Sequence, residues 1–216
     1  MSKTYMYVVD RDFGFAPNPF HGYCTLATCK HRIRNTAEVN DWVIGMGGAR
    51  LKATGKCIFA MRVTEKITFN EYWTSPQFLD KKPVRNGSRK MMVGDNIYYH
   101  DSSSNEWSQA DSHHSNADGS VNVDNLKKDT SSRNVLLSKH FLYFGREAPV
   151  VPHNLLNTIK YENGINHRVF DEKTNDGVRP LIEWLHSQGS LNQVISAPFD
   201  FSDSEKRYSG NNSKVL

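Results

Sequence analysis

Two stretches of this chain hold most of its reactive side chains. In residues 13–34, two thiols (Cys24, Cys29) and an imidazole (His31) stand among Lys30, Arg32 and Arg34. Soft ligands at that spacing suit a zinc knuckle, but a closed site needs four ligands. Cys57 sits in an apolar strand pattern and is a poor fourth, so no metal is expected. A cysteine near cations can instead be a nucleophile, because positive charge favours the thiolate. The leading reading for each cysteine is a small buried core residue. In the second stretch, Asp111, Ser112, His113 and His114 are consecutive. Asp111 and His113 are the expected catalytic pair, an orienter and a base acting on Ser112 or water. With His100 and His114 they could equally ligate a metal.

Residues 13–34 also carry the groups that grip flat rings and anions. Phe15, Phe20 and Tyr23 offer faces for a base to stack on, with Phe13 beside them. Asn18, held between Pro17 and Pro19, has the paired donor and acceptor that read a base edge. Arg32 and Arg34 suit phosphate. Asp95, Asn96, Gln109 and Ser112 are expected to form the opposite wall of this pocket. The competing reading is that the rings simply close the end of a core.

The elements that must position these groups are mostly strands. Residues 5–9, 39–48, 56–65, 91–100 and 134–145 read as strands or as turns leading into strands, with 56–65 central. Residues 29–34 suit a short helix, and 68–73 a short helix or loop. Residues 152–160 are weakly helical. Val178, Leu181, Ile182 and Leu185 keep a helical period, with Pro180 in the first turn. Gly45-Met46-Gly47-Gly48 leads to a turn and a strand, so the dinucleotide-binding fingerprint is absent. His140, in a strand pattern, is expected to be structural. No internal repeat is found.

A chain of 216 residues suits one domain with an appendage. Its 38% hydrophobic content is low, and the deficit falls in residues 101–133 and 202–216. The first is expected to be a long, partly mobile flap, and the second a disordered tail. The single domain is expected over 1–201. A net charge of +4 permits a nucleic-acid partner without requiring one. Three cysteines make no disulfide scaffold. No apolar run nears the roughly 20 residues that span a bilayer, and the start lacks a signal-peptide pattern. A cytoplasmic protein without a membrane partner is expected.

Phe-Gly-Phe-Ala-Pro-Asn-Pro-Phe (13–20), Cys-Thr-Leu-Ala-Thr-Cys-Lys (24–30) and Ile33-Arg34 resemble the start of the nucleotide modification associated domain 2 family. Residues 41–45, 94–98, 109–115 and 135–145 continue the resemblance in order. It implies a setting in phage and bacterial gene sets for unusual DNA bases. At the level of fold, residues 5–9, 39–44 and 56–65 are similar to the opening of PUA-like domains of the EVE and ASCH type. Here Asn40 replaces the usual Gly. That likeness implies an α+β fold with a small, mostly antiparallel β-barrel-like core and flanking helices, in which a base enters a pocket.

Three functions are consistent with these readings. The leading one is a nucleotide- or nucleic-acid-binding protein for base modification or phage–host defence, with a nucleotide, a modified DNA base or DNA as partner. The second is an enzyme modifying or hydrolysing a nucleotide or DNA base through Asp111, His113 or a cysteine. The third is a sequestering protein for a nucleotide signal. No cofactor is specified by the residues.

Overall fold

Trp42–Gly47 and Cys57–Arg62 are apolar along almost their whole length, the pattern of strands covered on both faces. In the computed structural model they lie side by side at the centre of a six-stranded sheet. The structure describes residues 2–101, 103–209 and 214–215. The sheet runs His167–Asp171, Lys3–Val9, Trp42–Gly47, Cys57–Arg62, Phe141–Tyr143, Gln193–Val194. Lys3–Val9 pairs with Trp42–Gly47 in parallel, and so do Phe141–Tyr143 and Gln193–Val194. The other pairings are antiparallel. Gly45 is required by close packing: a Cβ there would stand 2.2 Å from the Phe59 ring.

Contacts divide the chain into two compact units, each assembled from three segments. The first comprises Met1–Asp12, Ala37–Glu65 and Ser138–Phe199, and holds the six-stranded sheet. The helices His153–Ile159 and Val178–His186 belong to it. Val178, Leu181 and Leu185 are the buried stripe of the second helix, as the period predicts. In this unit His140 Nε2 lies 3.0 Å from His186 Nε2, and both rings meet the Trp42 indole edge-on.

The second unit comprises Phe13–Thr36, Lys66–Leu137 and Asp200–Leu216. It holds a three-stranded sheet in the order Cys24–Leu26, Asn134–Ser138, Glu65–Thr68. A hairpin pairs Tyr98–Asp101 with Glu106–Gln109. Short helices run His31–Thr36, Phe69–Thr74, Arg89–Met92 and Val123–Asp129. Thr68 starts one of them with a capping box: its hydroxyl accepts the Glu71 N–H, and the Glu71 carboxylate accepts the Thr68 N–H at 2.7 Å. The core is aromatic, with Phe13, Phe15, Phe20, Phe69, Tyr72 and Phe78 all buried.

The fold is thus mixed α and β, with several sheets. The expected barrel is corrected: the six-stranded sheet has two free ends and mixed parallel and antiparallel pairing, so it does not close among the described residues. The flap expected over 101–133 is also corrected. It contains the strand Glu106–Gln109 and the helix Val123–Asp129, and residues 112–115 are buried. Its polar side chains bond one another and nearby backbone, so composition alone misjudged it. Within the tail expected over 202–216, Tyr208 N–H donates to His113 O at 2.7 Å, while residues 210–213 and 216 lie outside the described residues. Among the described residues no helix is long and apolar enough to cross a membrane.

Candidate active site

Three cysteines enter the structure in two environments. Burial pushes the Cys24 and Cys57 thiols up, far from ionisation at neutral pH. Cys29 is half-buried. It precedes the helix His31–Thr36 on a turn in which Cys29 (φ 53°) and Lys30 (φ 32°) both lie in the left-handed region. Two successive non-glycine residues there cost on the order of 1–3 kcal/mol each and persist only where the surroundings impose them.

Those surroundings are a chain of buried polar groups. Cys29 Sγ lies 3.7 Å from His114 Nε2. His114 Nδ1 donates to Asp129 Oδ2 at 2.8 Å. Asp129 also accepts the Tyr98 hydroxyl at 2.8 Å and the Cys29 backbone N–H at 2.7 Å. His114 and Asp129 are almost fully buried. Burial works against the His114 imidazolium, but the Asp129 carboxylate and the Cys29 sulfur outweigh it and lift His114 to about 10. Against the same burial, His114 and then Arg34 keep the Asp129 carboxyl below its usual range.

The ligand atoms of Cys29, His114 and Asp129 all fall within 4.8 Å of one another. Their arrangement is that of a relay. The thiol faces one ring nitrogen and the carboxylate the other. Asp129 already accepts three protein donors. A nucleophile, a base and a carboxylate orienting the base in this order is the constellation of nucleophilic catalysis.

Scaffold residues hold the three members in register. Arg34 is fully buried, and its guanidinium donates to four carbonyls: Cys29 O (3.0 Å), Asp129 O (2.6 Å), Asn134 O (2.8 Å) and Ser132 O (3.3 Å). Gln109 Nε2 donates to the Tyr98 hydroxyl and to His114 O, both at 3.1 Å. Asn125 Nδ2 donates to His114 O at 2.8 Å. The Phe15 ring packs 4.7 Å from the His114 ring.

The residues expected to bind a ligand are therefore mostly consumed by the protein itself. Arg34 is a buried strut rather than a phosphate ligand, because its donors are spent on carbonyls. Arg32 is exposed on the same helix. Asn18 is fully buried; its Nδ2 donates to Val93 O and its Oδ1 accepts Lys81 Nζ, both at 2.8 Å. Lys81 also donates to the carbonyls of Asn18 and Tyr23. Burial lowers its ammonium to about 8. Asp95 accepts the hydroxyls of Thr25 (2.6 Å) and Tyr72 (2.8 Å), and burial, opposed by Lys81, lifts it to about 6. Asn96 donates to Tyr72 O and Phe78 O. Phe20 packs on Phe201, and the half-buried Tyr23 on Phe78. The two expected pocket walls do meet, but they meet in direct contact.

Asp111 and His113, the expected catalytic pair, take separate partners. Asp111 bonds Arg207 and Ser115 instead of His113. His113 Nδ1 lies 2.6 Å from Lys206 O, and burial together with the His114 neighbour holds its imidazole down to about 3. A neutral ring tied to a carbonyl is no general base for Cys29. Ser112 is buried, its hydroxyl accepting the His114 N–H at 3.3 Å. The gathered ligand atoms leave out Cys24 and His31. Asp129 escaped the sequence reading. Its one signal is an acidic residue in the last turn of a helix, where the dipole disfavours it.

A family model described as nucleotide modification associated domain 2 matches residues 1–205. No curated protein and no solved structure matches the chain significantly.

Proposed function

Because the chain belongs to the nucleotide modification associated domain 2 family, we propose that it is a cysteine-dependent enzyme that modifies a nucleotide or DNA base by acyl or amide transfer. The observation that carries this reading is the Cys29–His114–Asp129 relay, with the thiol half-exposed and the other two members buried. In the first half-reaction the Cys29 thiolate adds to a carbonyl carbon and forms a C–S bond. As the C–N or C–O bond breaks, His114 Nε2–H gives its proton to the departing amine or alkoxide. In the second, an incoming amine or water attacks the thioester, and His114 Nε2 takes its proton. The C–S bond breaks and the thiolate returns, so the cycle involves no net oxidation or reduction. Asp129 keeps the ring oriented throughout. Asp111 and His113 have no step in this chemistry.

The test is the rate of Cys29 alkylation by iodoacetamide, read by peptide mass spectrometry across pH. Native protein should alkylate at Cys29 while Cys24 and Cys57 stay protected. His114→Ala should slow the reaction at neutral pH by about 30-fold, the gap between a full thiolate paired with an imidazolium and the few per cent of thiolate in a free thiol, and Asp129→Asn by a smaller factor. If Cys29 reacts no faster than a cysteine of the unfolded chain, or if His114→Ala leaves the rate unchanged, the relay is not an activating one.

A further inference from the structure

A cleft of about 150 Å³ in the second unit is lined by Thr68, Phe69, Asn70, His100, Trp107 and Arg133. None of these residues belongs to the relay. A cavity of this size takes one benzene-sized ring, so it is too small for a whole nucleotide but large enough for part of one. Its walls are built for a flat ring. Trp107 is half-buried, meeting Phe69 edge-on at 5.6 Å and His100 at 4.9 Å. The walls are also fixed. Asn70 accepts the His100 backbone N–H at 2.7 Å and donates to His100 O at 2.8 Å, tying the hairpin to the helix Phe69–Thr74. The Phe69 N–H donates to Arg133 O at 3.1 Å, which anchors the backbone of the cationic residue. By contrast, the Trp107 indole N–H, the His100 ring nitrogens and the exposed Arg133 guanidinium have no hydrogen-bond partner among the described residues.

A rigid aromatic wall, free ring donors and an unengaged guanidinium at one small cleft match a heteroaromatic ring that carries an anion. We propose that this cleft holds the base of a nucleoside monophosphate unit, with the ring against Trp107 and His100 and the phosphate at Arg133. The unit can be a free nucleotide or an unstacked residue of a single strand. The inference names the substrate class of the proposed enzyme and rests on that reading for its use, while its geometry does not involve Cys29.

The experiment is calorimetric titration of the full chain with deoxynucleoside monophosphates, the matching nucleosides, inorganic phosphate and a short single-stranded DNA. At least one monophosphate should bind more tightly than its nucleoside or phosphate alone. Trp107→Ala should weaken it about tenfold, as loss of one stacked base does, and Trp107→Phe should restore most of that loss. Arg133→Ala should weaken the monophosphate, leave the nucleoside unchanged and flatten the salt dependence. Tighter binding of the single strand would assign the unit to DNA; equal or weaker binding would assign it to the free nucleotide. The inference is overturned if no nucleotide binds, or if folded Trp107→Ala and Arg133→Ala bind like the parent. Alkylation of the parent protein separates the two readings: a nucleotide that binds this cleft while Cys29 alkylates sluggishly would sink the thiol chemistry and keep the cleft.

Discussion

Arg34 shows how a side chain with the right chemistry for a ligand can be claimed by the fold. A guanidinium presents five donors in a planar fork, and here it spans the backbone of Cys29 on one segment and Asp129 on another. Lysine keeps the charge but offers one compact donor group, so Arg34→Lys leaves buried carbonyls unpaired. Each such loss costs on the order of 1–3 kcal/mol. The expected outcome is a fall in stability of about 2 kcal/mol or more by chemical denaturation. A slower alkylation of Cys29 should accompany it under conditions where both proteins are folded. Unchanged stability and reactivity would show that Arg34 is not the strut between the two segments.

At the scale of elements, residues 206–208 act as a strap across the histidine pair. Lys206 O meets His113 Nδ1 at 2.6 Å, Arg207 bonds Asp111 and Ser112 O, and Tyr208 O accepts Asn125 Nδ2 at 2.7 Å. The Tyr208 ring lies 5.7 Å from the His114 ring. Asn125 therefore joins the strap to His114 O, and through it the helix Val123–Asp129 presents Asp129 to the same imidazole. Removing residues 206–216 should leave the first unit's sheet intact, because none of its strands lies there. It should lower the His114-dependent alkylation of Cys29 by about tenfold through loss of ring positioning, an effect of the size seen when supporting partners are removed. A truncated protein that alkylates at the full-length rate would reduce the strap to a passive covering.

For the whole molecule, the relay couples stability to pH. His114 is raised in the folded state, so its contribution is fully present below its ordinary value near 6.5 and is lost as pH rises through about 10. Asp129 is depressed, so its share is present above 3.8 and is lost only in stronger acid. The stability difference between the parent and His114→Gln should be widest near pH 5–6 and should shrink toward pH 10, by at most about 1.4 kcal/mol per pH unit. Thermal unfolding of both proteins across that range checks it, and a constant difference would remove the charged pair. Much of this was legible in the chain: the apolar runs at 5–9 and 56–65 became strands of the large sheet, and the helical period from Val178 became a helix. The strand His167–Asp171 was not legible, because it is polar and half-exposed, with no alternation to betray it. The sequence by itself determined the family, the mixed secondary structure and the presence of thiols, imidazoles and carboxylates in quantity. Only the tertiary structure decided which of them meet. Cys29 and Asp129 are joined by contacts 100 residues apart in the chain, and no local period or spacing encodes such a distance. The same packing spent Asn18, Arg34 and Asp95 on internal partners, since a buried polar group must be satisfied by whatever lies beside it.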